Sequence, residues 1–317
     1  MCEIMLHNPF ILFLVGCLFL YISSEIVVAN AITIANRFSI PPFIIGCTIV
    51  AIGTSLPEII VSILSNIQGN SNIALGNIIG SNITNIGLVL GVSLFFGTIS
   101  INKDDNEYLL NTISLFLLTF LFYLSVIFEN INYINGIFFL LLYVLYIYLY
   151  LQYFKNKLSN DGGGKSNDNM TFIISKLVFG FFIIYLGSNL FIDGAIGISN
   201  KFGVSDLSVG LTIVAIGTSA PELFISINSL MKKQSMLALG NIFGSNIANI
   251  AFAAGISVVI KNIYINYDDI IIYNNIMLLL TVLLLSIVIF SKKIHKIYSI
   301  IFISIYFVYI YINFMLT

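Results

Sequence analysis

The sequence predicts an all-α integral membrane protein, with ten transmembrane helices arranged as two inverted-topology repeats of five. Three observations support this fold class. The 317 residues are 59% hydrophobic and only 9% charged, whereas a soluble protein carries about 25% charged residues. Apolar runs long enough to cross a bilayer, about 18 residues or more, recur along the whole length. Two stretches of the chain also repeat each other at a constant spacing.

The ten predicted spans are separated by short polar or charged segments. They cover residues 9–35, 41–67, 72–98, 108–128, 132–153, 171–200, 205–230, 235–260, 268–290 and 295–315. The stretch "KNKLSNDGGGKSNDN", residues 155–169, has the composition of a flexible linker. We therefore divide the chain into a first repeat at 1–153, a short linker at 154–170 and a second repeat at 171–317.

The internal repeat is defined by polar residues that stay in register. "IVAIGTSLPE" at 49–58 returns as "IVAIGTSAPE" at 213–222, and "GNIIGSNITN" at 76–85 returns as "GNIFGSNIAN" at 240–249. Both pairs have the same offset, 213 − 49 = 240 − 76 = 164 residues. Because five spans is an odd number, the second repeat must enter the membrane from the opposite side. Inverted repeats are typical of secondary transporters, whose sites lie near the midplane on interrupted helices.

Lysine and arginine are distributed unevenly between the two predicted faces of the membrane. Eleven lie on the side of the linker, and two, Lys201 and Lys261, lie on the other side. Positively charged loops remain in the cytoplasm, so we expect a multi-pass protein of the cell membrane with a cytoplasmic linker and both termini outside. The expected partner is the lipid bilayer; the net charge of −1 does not suggest nucleic acid, and we expect a functional monomer.

Glu58 and Glu222 fall in the middle of predicted spans 2 and 7. A charged side chain at the centre of a bilayer costs about 2.5–3.5 kcal/mol on insertion scales. No lysine or arginine lies in the middle of a predicted span to pair with either glutamate. The expected partner is therefore a cation from outside the protein, or a proton.

A proline precedes each glutamate and is expected to break the helix. Pro57 and Pro221 lack the N–H that would bond to the carbonyl four residues back. We expect the main-chain oxygens around 51–54 and 215–218 to be left without helical partners, and to line a cavity because lipid cannot satisfy them. Carbonyl, hydroxyl and carboxylate oxygens suit Ca²⁺ and similar hard ions.

Spans 3 and 8 each carry one polar face on an otherwise apolar helix. Its residues are spaced at i, i+4 and i+8: Asn77, Ser81 and Asn85 in span 3, and Asn241, Ser245 and Asn249 in span 8. Helix packing through the G-xxx-G spacing is the alternative interpretation. The combination with a broken, acidic helix in both repeats favours ion binding, so spans 2, 3, 7 and 8 are expected to form an ion-binding core.

These motifs resemble those of the cation/calcium exchanger superfamily, in particular its prokaryotic sodium/calcium exchanger branch. The resemblance covers nearly the whole chain and includes both copies of G-T-S-x-P-E followed by G-N-x-x-G-S-N. It implies a secondary active antiporter that exchanges Ca²⁺ for Na⁺ by alternating access, with no resident cofactor. It also implies the following ion ligands: Glu58, Glu222, Thr54, Thr218, Ala51, Ala215, Ser55, Ser219, Ser81, Ser245, Asn85 and Asn249.

The resemblance further implies how these ligands are divided among the ions. Ca²⁺ would bind the two glutamates and the main-chain oxygens of the two threonines. Each flanking Na⁺ site would use one alanine carbonyl and two serines: Ala51 with Ser55 and Ser81, and Ala215 with Ser219 and Ser245. The two asparagines would close the centre.

Asn249 departs from the resemblance, because sodium/calcium exchangers of this type usually have aspartate there. Cation/proton exchangers of the superfamily resemble this chain instead, with asparagine in both halves, here Asn85 and Asn249. Two carboxylates neutralise one Ca²⁺, but three Na⁺ would leave an excess positive charge. A Ca²⁺/H⁺ or other cation/H⁺ antiporter is therefore the alternative, and Na⁺ is preferred because all four serine hydroxyls are present.

An enzyme and a passive channel are the remaining alternatives. His7 and His295 lie near span ends and no HExxH motif occurs, so a nucleophilic serine would lack a base and we expect no enzyme. Coordination by two carboxylates favours tight binding over rapid conduction. Glu25 and Asp193, the remaining candidate intramembrane acids, are expected to line a cavity or to bond within the bundle.

Overall fold

The computed structural model describes residues 8–38, 40–67, 69, 71–101, 107–128, 131–158, 169–201, 215–263 and 267–316. Several sequence predictions lie outside these residues: His7, Lys103, most of the linker (159–168) with Lys165, and the start of predicted span 7 (205–214). Nearly all of the described chain is helical.

Among the residues that the structure describes, the first half of the chain contains six helices and one short strand. These are α1 (Pro9–Arg37), α2 (Pro42–Thr54), α3 (Leu56–Ile67), α4 (71–96), β1 (Ile99–Ser100), α5 (Glu107–Ile127) and α6 (Tyr133–Leu158). The second half has the same order within its described residues. It contains α7 (Met170–Lys201), α8 (Ala215–Thr218), α9 (Ala220–Met231), α10 (235–260), α11 (Tyr267–Phe290), β2 (Lys293–Ile294) and α12 (Ile297–Leu316).

The described helices make this a multi-pass membrane protein. Seven of them are long and apolar enough to cross a bilayer. Helices α2 and α3 pass the same test together but are bent by 45° where they meet. Helix α12 contains a shorter apolar stretch, Ile297–Asn313. The division into ten spans and two five-helix repeats extends beyond these findings and stays a prediction.

Both broken helices turn at a serine rather than at a proline. Ser55, between α2 and α3, has φ −83° and ψ 5°, and Ser219, between α8 and α9, has φ −83° and ψ 4°. Pro57 and Pro221 are the second residues of α3 and α9, where an N–H would have no helical partner in any case. The prolines therefore start new helices at the same place in both halves.

Helices α4 and α10 lie at the centre of the molecule. In each of them, 83% of the residues in an 18-residue apolar stretch are buried. The corresponding share is 22–44% in the other five helices that can span a membrane. Helix α10 packs directly on α2. A methyl group added at Gly240 would overlap with the carbonyl oxygen of Phe43, and one added at Gly244 would overlap with that of Cys47. Small residues allow such close approach of helices in a bilayer.

Helices α1 and α7 form a second closely packed pair. A methyl group at Gly16 would lie 2.5 Å from the main-chain nitrogen of Phe191, and one at Gly187 would lie 3.0 Å from Cβ of Phe19. At the ends of the bundle, β1 pairs antiparallel with β2 through Ile99 and Ile294. This pairing joins the segment after α4 to the segment after α11.

Candidate ion-binding site

The structure brings the two glutamates together at the breaks of the two interrupted helices. Glu58 is 1% exposed and Glu222 is fully buried. Ser55 Oγ donates a hydrogen bond to Glu222 Oε1 at 2.8 Å, and Ser219 Oγ donates one to Glu58 Oε1 at 3.1 Å. Each half of the chain therefore supplies the hydroxyl that binds the carboxylate of the other half.

The second oxygen of each carboxylate has no partner among the described protein atoms. Oε2 of Glu58 and Oε2 of Glu222 are both buried and accept no hydrogen bond there. The lysine–carboxylate contact in the described part of the chain involves neither of these glutamates. It joins Lys232 Nζ and Glu25 Oε1, 3.9 Å apart at the protein surface. A buried carboxylate needs a bonded or charged partner, so this pair of oxygens suits a cation or a proton.

The carbonyls just before each break are bonded, contrary to the sequence prediction. Ala51 O accepts from Ser55 N at 3.0 Å and from Thr54 Oγ1 at 3.2 Å. The corresponding bonds to Ala215 O, from Ser219 N and Thr218 Oγ1, measure 3.1 and 3.2 Å. The prediction was wrong for these two oxygens because the turn lies at the serine, so the helical bond to residue 51 or 215 is still made.

At Gly217 the carbonyl lacks its helical partner, as predicted, but a protein side chain satisfies it. Pro221 cannot donate to Gly217 O, but Ser188 Oγ of helix α7 lies 3.4 Å from this oxygen and donates to it. A side chain on a neighbouring helix thus replaces the missing helical N–H, as happens at prolines in other membrane helices.

The polar faces of α4 and α10 point to the broken helices. Asn77 Nδ2 donates to Ser62 Oγ at 2.9 Å and to Glu58 O at 3.0 Å. Asn241 Nδ2 donates to Ser226 Oγ at 3.3 Å. These amides hold α4 against α3 and α10 against α9. Sequence reasoning missed the two serine partners, although each stands four residues after its glutamate and so shares its helix face.

The remaining predicted ligands include several buried polar atoms without partners. Ser81 Oγ and both side-chain polar atoms of Asn85 and Asn249 accept or donate no hydrogen bond among the described residues. Ser245 is fully buried, and its Oγ lies 3.5 Å from Thr54 Oγ1. Because native proteins leave few buried polar groups unbonded, this concentration beside two carboxylates is typical of a place for ions or water.

Two π-helical turns occur where the asparagines lie, which the sequence did not predict. One begins at Asn85 and ends at Leu90, and the other, Ala248–Ala254, includes Asn249. A third lies at Gly46–Val50 in α2. Such turns are rare and frequently occur at functional sites.

The two remaining candidate intramembrane acids lie on the surface. Glu25 is half-exposed and makes the contact with Lys232 described above. Asp193 is exposed on α7. Among the described residues, no group of three or more His, Cys, Asp or Glu could hold a metal. The candidate site therefore combines two carboxylates with neutral oxygen groups.

A known protein family matches the chain over most of its length. The profile described as sodium/calcium exchanger protein matches residues 8–152 and 172–315. These two ranges leave out the linker and the first seven residues.

Similar proteins agree with this match in sequence and in structure. An uncharacterized membrane protein of Methanocaldococcus jannaschii is 35% identical over 244 residues, 77% of this chain and 79% of the relative. The sodium/calcium exchanger MaX1 of Methanosarcina acetivorans is 29% identical over 296 residues, 80% of this chain and 83% of the relative. A solved structure of the sodium-calcium exchanger NCX_Mj has a TM-score of 0.82 at 30% identity, covering 96% of this chain and 98% of that one.

Proposed function

The chain belongs to the sodium/calcium exchanger family, and from this premise we propose that it is an antiporter that exchanges Ca²⁺ for Na⁺ across the cell membrane. The observation that carries the proposal is the pair of buried glutamates, each with one carboxylate oxygen left unbonded by the described protein. Their two negative charges balance one Ca²⁺. In this proposal the ion is the substrate, and the protein needs no resident cofactor.

Ca²⁺ would bind between the two broken helices. It takes six to eight oxygen ligands in proteins, and the site offers the free oxygens of Glu58 and Glu222 together with the main-chain oxygens of Thr54 and Thr218. Ser55 and Ser219 hold the other carboxylate oxygens, which fixes the orientation of the free ones. Ligands from both halves of the chain would then coordinate the same Ca²⁺ ion.

Na⁺ would bind on either side of the Ca²⁺ position. One proposed site uses the Ala51 carbonyl with Ser55 and Ser81, and the other uses the Ala215 carbonyl with Ser219 and Ser245. All four serine hydroxyls are buried, so they can replace the water around a small cation. Asn85 and Asn249 would close the centre with their unbonded amides. Because Ser55 and Ser219 of the proposed Na⁺ sites also bind the two glutamates, binding of one ion would weaken binding of the other.

Transport would follow from a site that opens to each side of the membrane in turn. In secondary transporters with inverted repeats, one group of helices rocks or slides against another around a fixed midplane site. Both glutamates lie at helix breaks between the two halves, which is the position that such a mechanism requires. Exchange, rather than leakage, results if the protein changes conformation only with an ion bound.

Ca²⁺ uptake into proteoliposomes tests the proposal and its counter-ion. Vesicles loaded with Na⁺ and diluted into Na⁺-free buffer should accumulate ⁴⁵Ca²⁺ with saturable kinetics, while a pH gradient alone should drive no uptake. Uptake driven by the pH gradient without Na⁺ would indicate a cation/proton antiporter instead. Non-saturating Ca²⁺ flux in the absence of either gradient would indicate a channel.

A further inference from the structure

The two proposed Na⁺ sites are not equivalent in the structure, and the difference lies at one asparagine. Asn77 and Asn241 are repeat partners, since 241 − 77 = 164, and each amide nitrogen bonds within its own half. Their oxygens differ. Asn241 Oδ1 accepts from Thr54 Oγ1 at 3.2 Å, whereas Asn77 Oδ1 has no hydrogen-bond partner among the described residues.

The Thr54 hydroxyl has two acceptors at equal distance, and Ser245 Oγ lies further away at 3.5 Å, where either hydroxyl could be the donor. It lies 3.2 Å from Ala51 O and 3.2 Å from Asn241 Oδ1, and a hydroxyl carries a single proton. When the proton points to Ala51 O, both lone pairs of that carbonyl are used, because Ser55 N already donates to it at 3.0 Å. When the proton points to Asn241, one lone pair of Ala51 O is free.

The Thr218 hydroxyl has no equivalent choice between a carbonyl and an asparagine. It donates to Ala215 O at 3.2 Å, and the atom that would correspond to the second acceptor, Asn77 Oδ1, is unbonded. Each threonine also faces the glutamate of the opposite half, so that contact does not distinguish the two sides. The difference therefore comes from Asn241.

We propose that Asn241 is a positioning residue, which draws the Thr54 hydroxyl away from the Ala51 carbonyl and so makes this carbonyl available to Na⁺. The inference rests on the proposed function and adds a residue outside the predicted ligand set. In the state described here, the Na⁺ site at Ala51 can be completed by a rotation of one hydroxyl. The site at Ala215 keeps its carbonyl occupied.

A double-mutant cycle on the purified protein tests this role. Na⁺ that binds the folded protein raises its thermal unfolding midpoint, so the Na⁺ concentration for a half-maximal rise measures affinity without transport. Asn241→Ala removes the acceptor that competes with the Ala51 carbonyl at equal distance, and should raise this concentration about threefold to tenfold. The corresponding Ca²⁺ concentration should change less than twofold, because the glutamates are intact.

The threonine variants separate positioning from a general packing defect. In a Thr54→Val background the hydroxyl is gone, so Asn241→Ala should no longer change the Na⁺ midpoint. In the matched Thr218→Val background, the effect of Asn241→Ala should persist. An effect that survives in Thr54→Val, or a loss of Na⁺ and Ca²⁺ affinity to the same extent, would overturn the role of Asn241.

The same measurement separates this inference from the proposed function. If Na⁺ stabilises the wild-type protein and Asn241→Ala binds it equally well, the positioning role is wrong while the exchange of Na⁺ stands. If the wild-type protein is stabilised by Ca²⁺ but not by Na⁺, the proposed counter-ion is wrong, and the positioning role of Asn241 is wrong as well.

Discussion

Asparagine side chains show how differently one residue type is used inside this protein. Asn66 donates to Ser257 O and Lys261 O at 2.7 Å each, and its own Oδ1 accepts from Ser71 Oγ at 2.9 Å. The amide nitrogen and the amide oxygen of Asn66 are therefore both hydrogen-bonded, as a structural role requires. Asn85 is equally buried, and neither of its polar atoms is bonded among the described residues. The unbonded amide is the one that belongs to the repeated motif.

Removing one carboxylate charge should abolish Ca²⁺ exchange. At an effective dielectric constant of about 20, two unit charges 4 Å apart interact by about 4 kcal/mol, so Glu58→Gln or Glu222→Gln should weaken Ca²⁺ binding by about 100-fold or more. Isothermal titration with Ca²⁺ and ⁴⁵Ca²⁺ uptake would measure the loss. Glu25→Gln is the control, because this acid is half-exposed and bonded to Lys232; it should retain uptake.

The site could be predicted in part from single residues. Glu58 and Glu222 stand out because a carboxylate is costly in a membrane span, and no structure is needed to notice them. The bonds from Ser55 to Glu222 and from Ser219 to Glu58 depend on how the two halves face each other, which local sequence does not encode. The Asn241–Thr54 bond is of the same kind.

At the scale of helices, the position of each break matters more than the presence of proline. Ser55 and Ser219 adopt nearly the same backbone angles, so the α2–α3 and α8–α9 pairs present their serine and glutamate alike. The prolines predicted a break but not its exact residue, because a proline is accepted in the first turn of the following helix. The π-helical turns had no sequence signal, since one extra residue in a turn requires no special side chain.

Two equivalent glycines should differ in their tolerance of a methyl group. A Cβ at Gly244 would overlap with Cys47 main-chain atoms, whereas one at its repeat partner Gly80 would lie 3.2 Å from the Tyr309 hydroxyl, which can move. Gly244→Ala should therefore destabilise the protein by about 1–3 kcal/mol and lower its thermal unfolding midpoint by several degrees, and Gly80→Ala should lower it less. Equal shifts would contradict the direct α2–α10 contact.

At the scale of the whole molecule, the paired helices α1 and α7 lie beside the site rather than within it. Their contacts with the centre include two side-chain hydrogen bonds: Asn228 Nδ2 donates to Ser24 Oγ at 3.2 Å, and Ser188 Oγ donates to Gly217 O. The order of elements and the membrane character were predictable from hydropathy and the repeat. The packing of α1 on α7 was not, because both helices carry large apolar residues on their exposed as well as their buried faces.

The predicted orientation can be measured with single cysteines. In a background lacking Cys2, Cys17 and Cys47, Lys261→Cys and Lys293→Cys would place exposed thiols at the two ends of the bundle. A membrane-impermeant maleimide added to intact cells should label only position 261, and permeabilisation should expose position 293. The reverse pattern would show that the linker faces outward and that the lysine bias does not set the topology here.

The exchange of serine bonds between the halves has a consequence for how such a protein could have arisen. Each glutamate depends on a hydroxyl from the other half, so one repeat made alone would carry only half of a site. A single-repeat ancestor would have needed two copies, inserted in opposite directions, to assemble one complete set of oxygens. Gene duplication would then have joined two such copies, with the predicted linker as the place of their fusion.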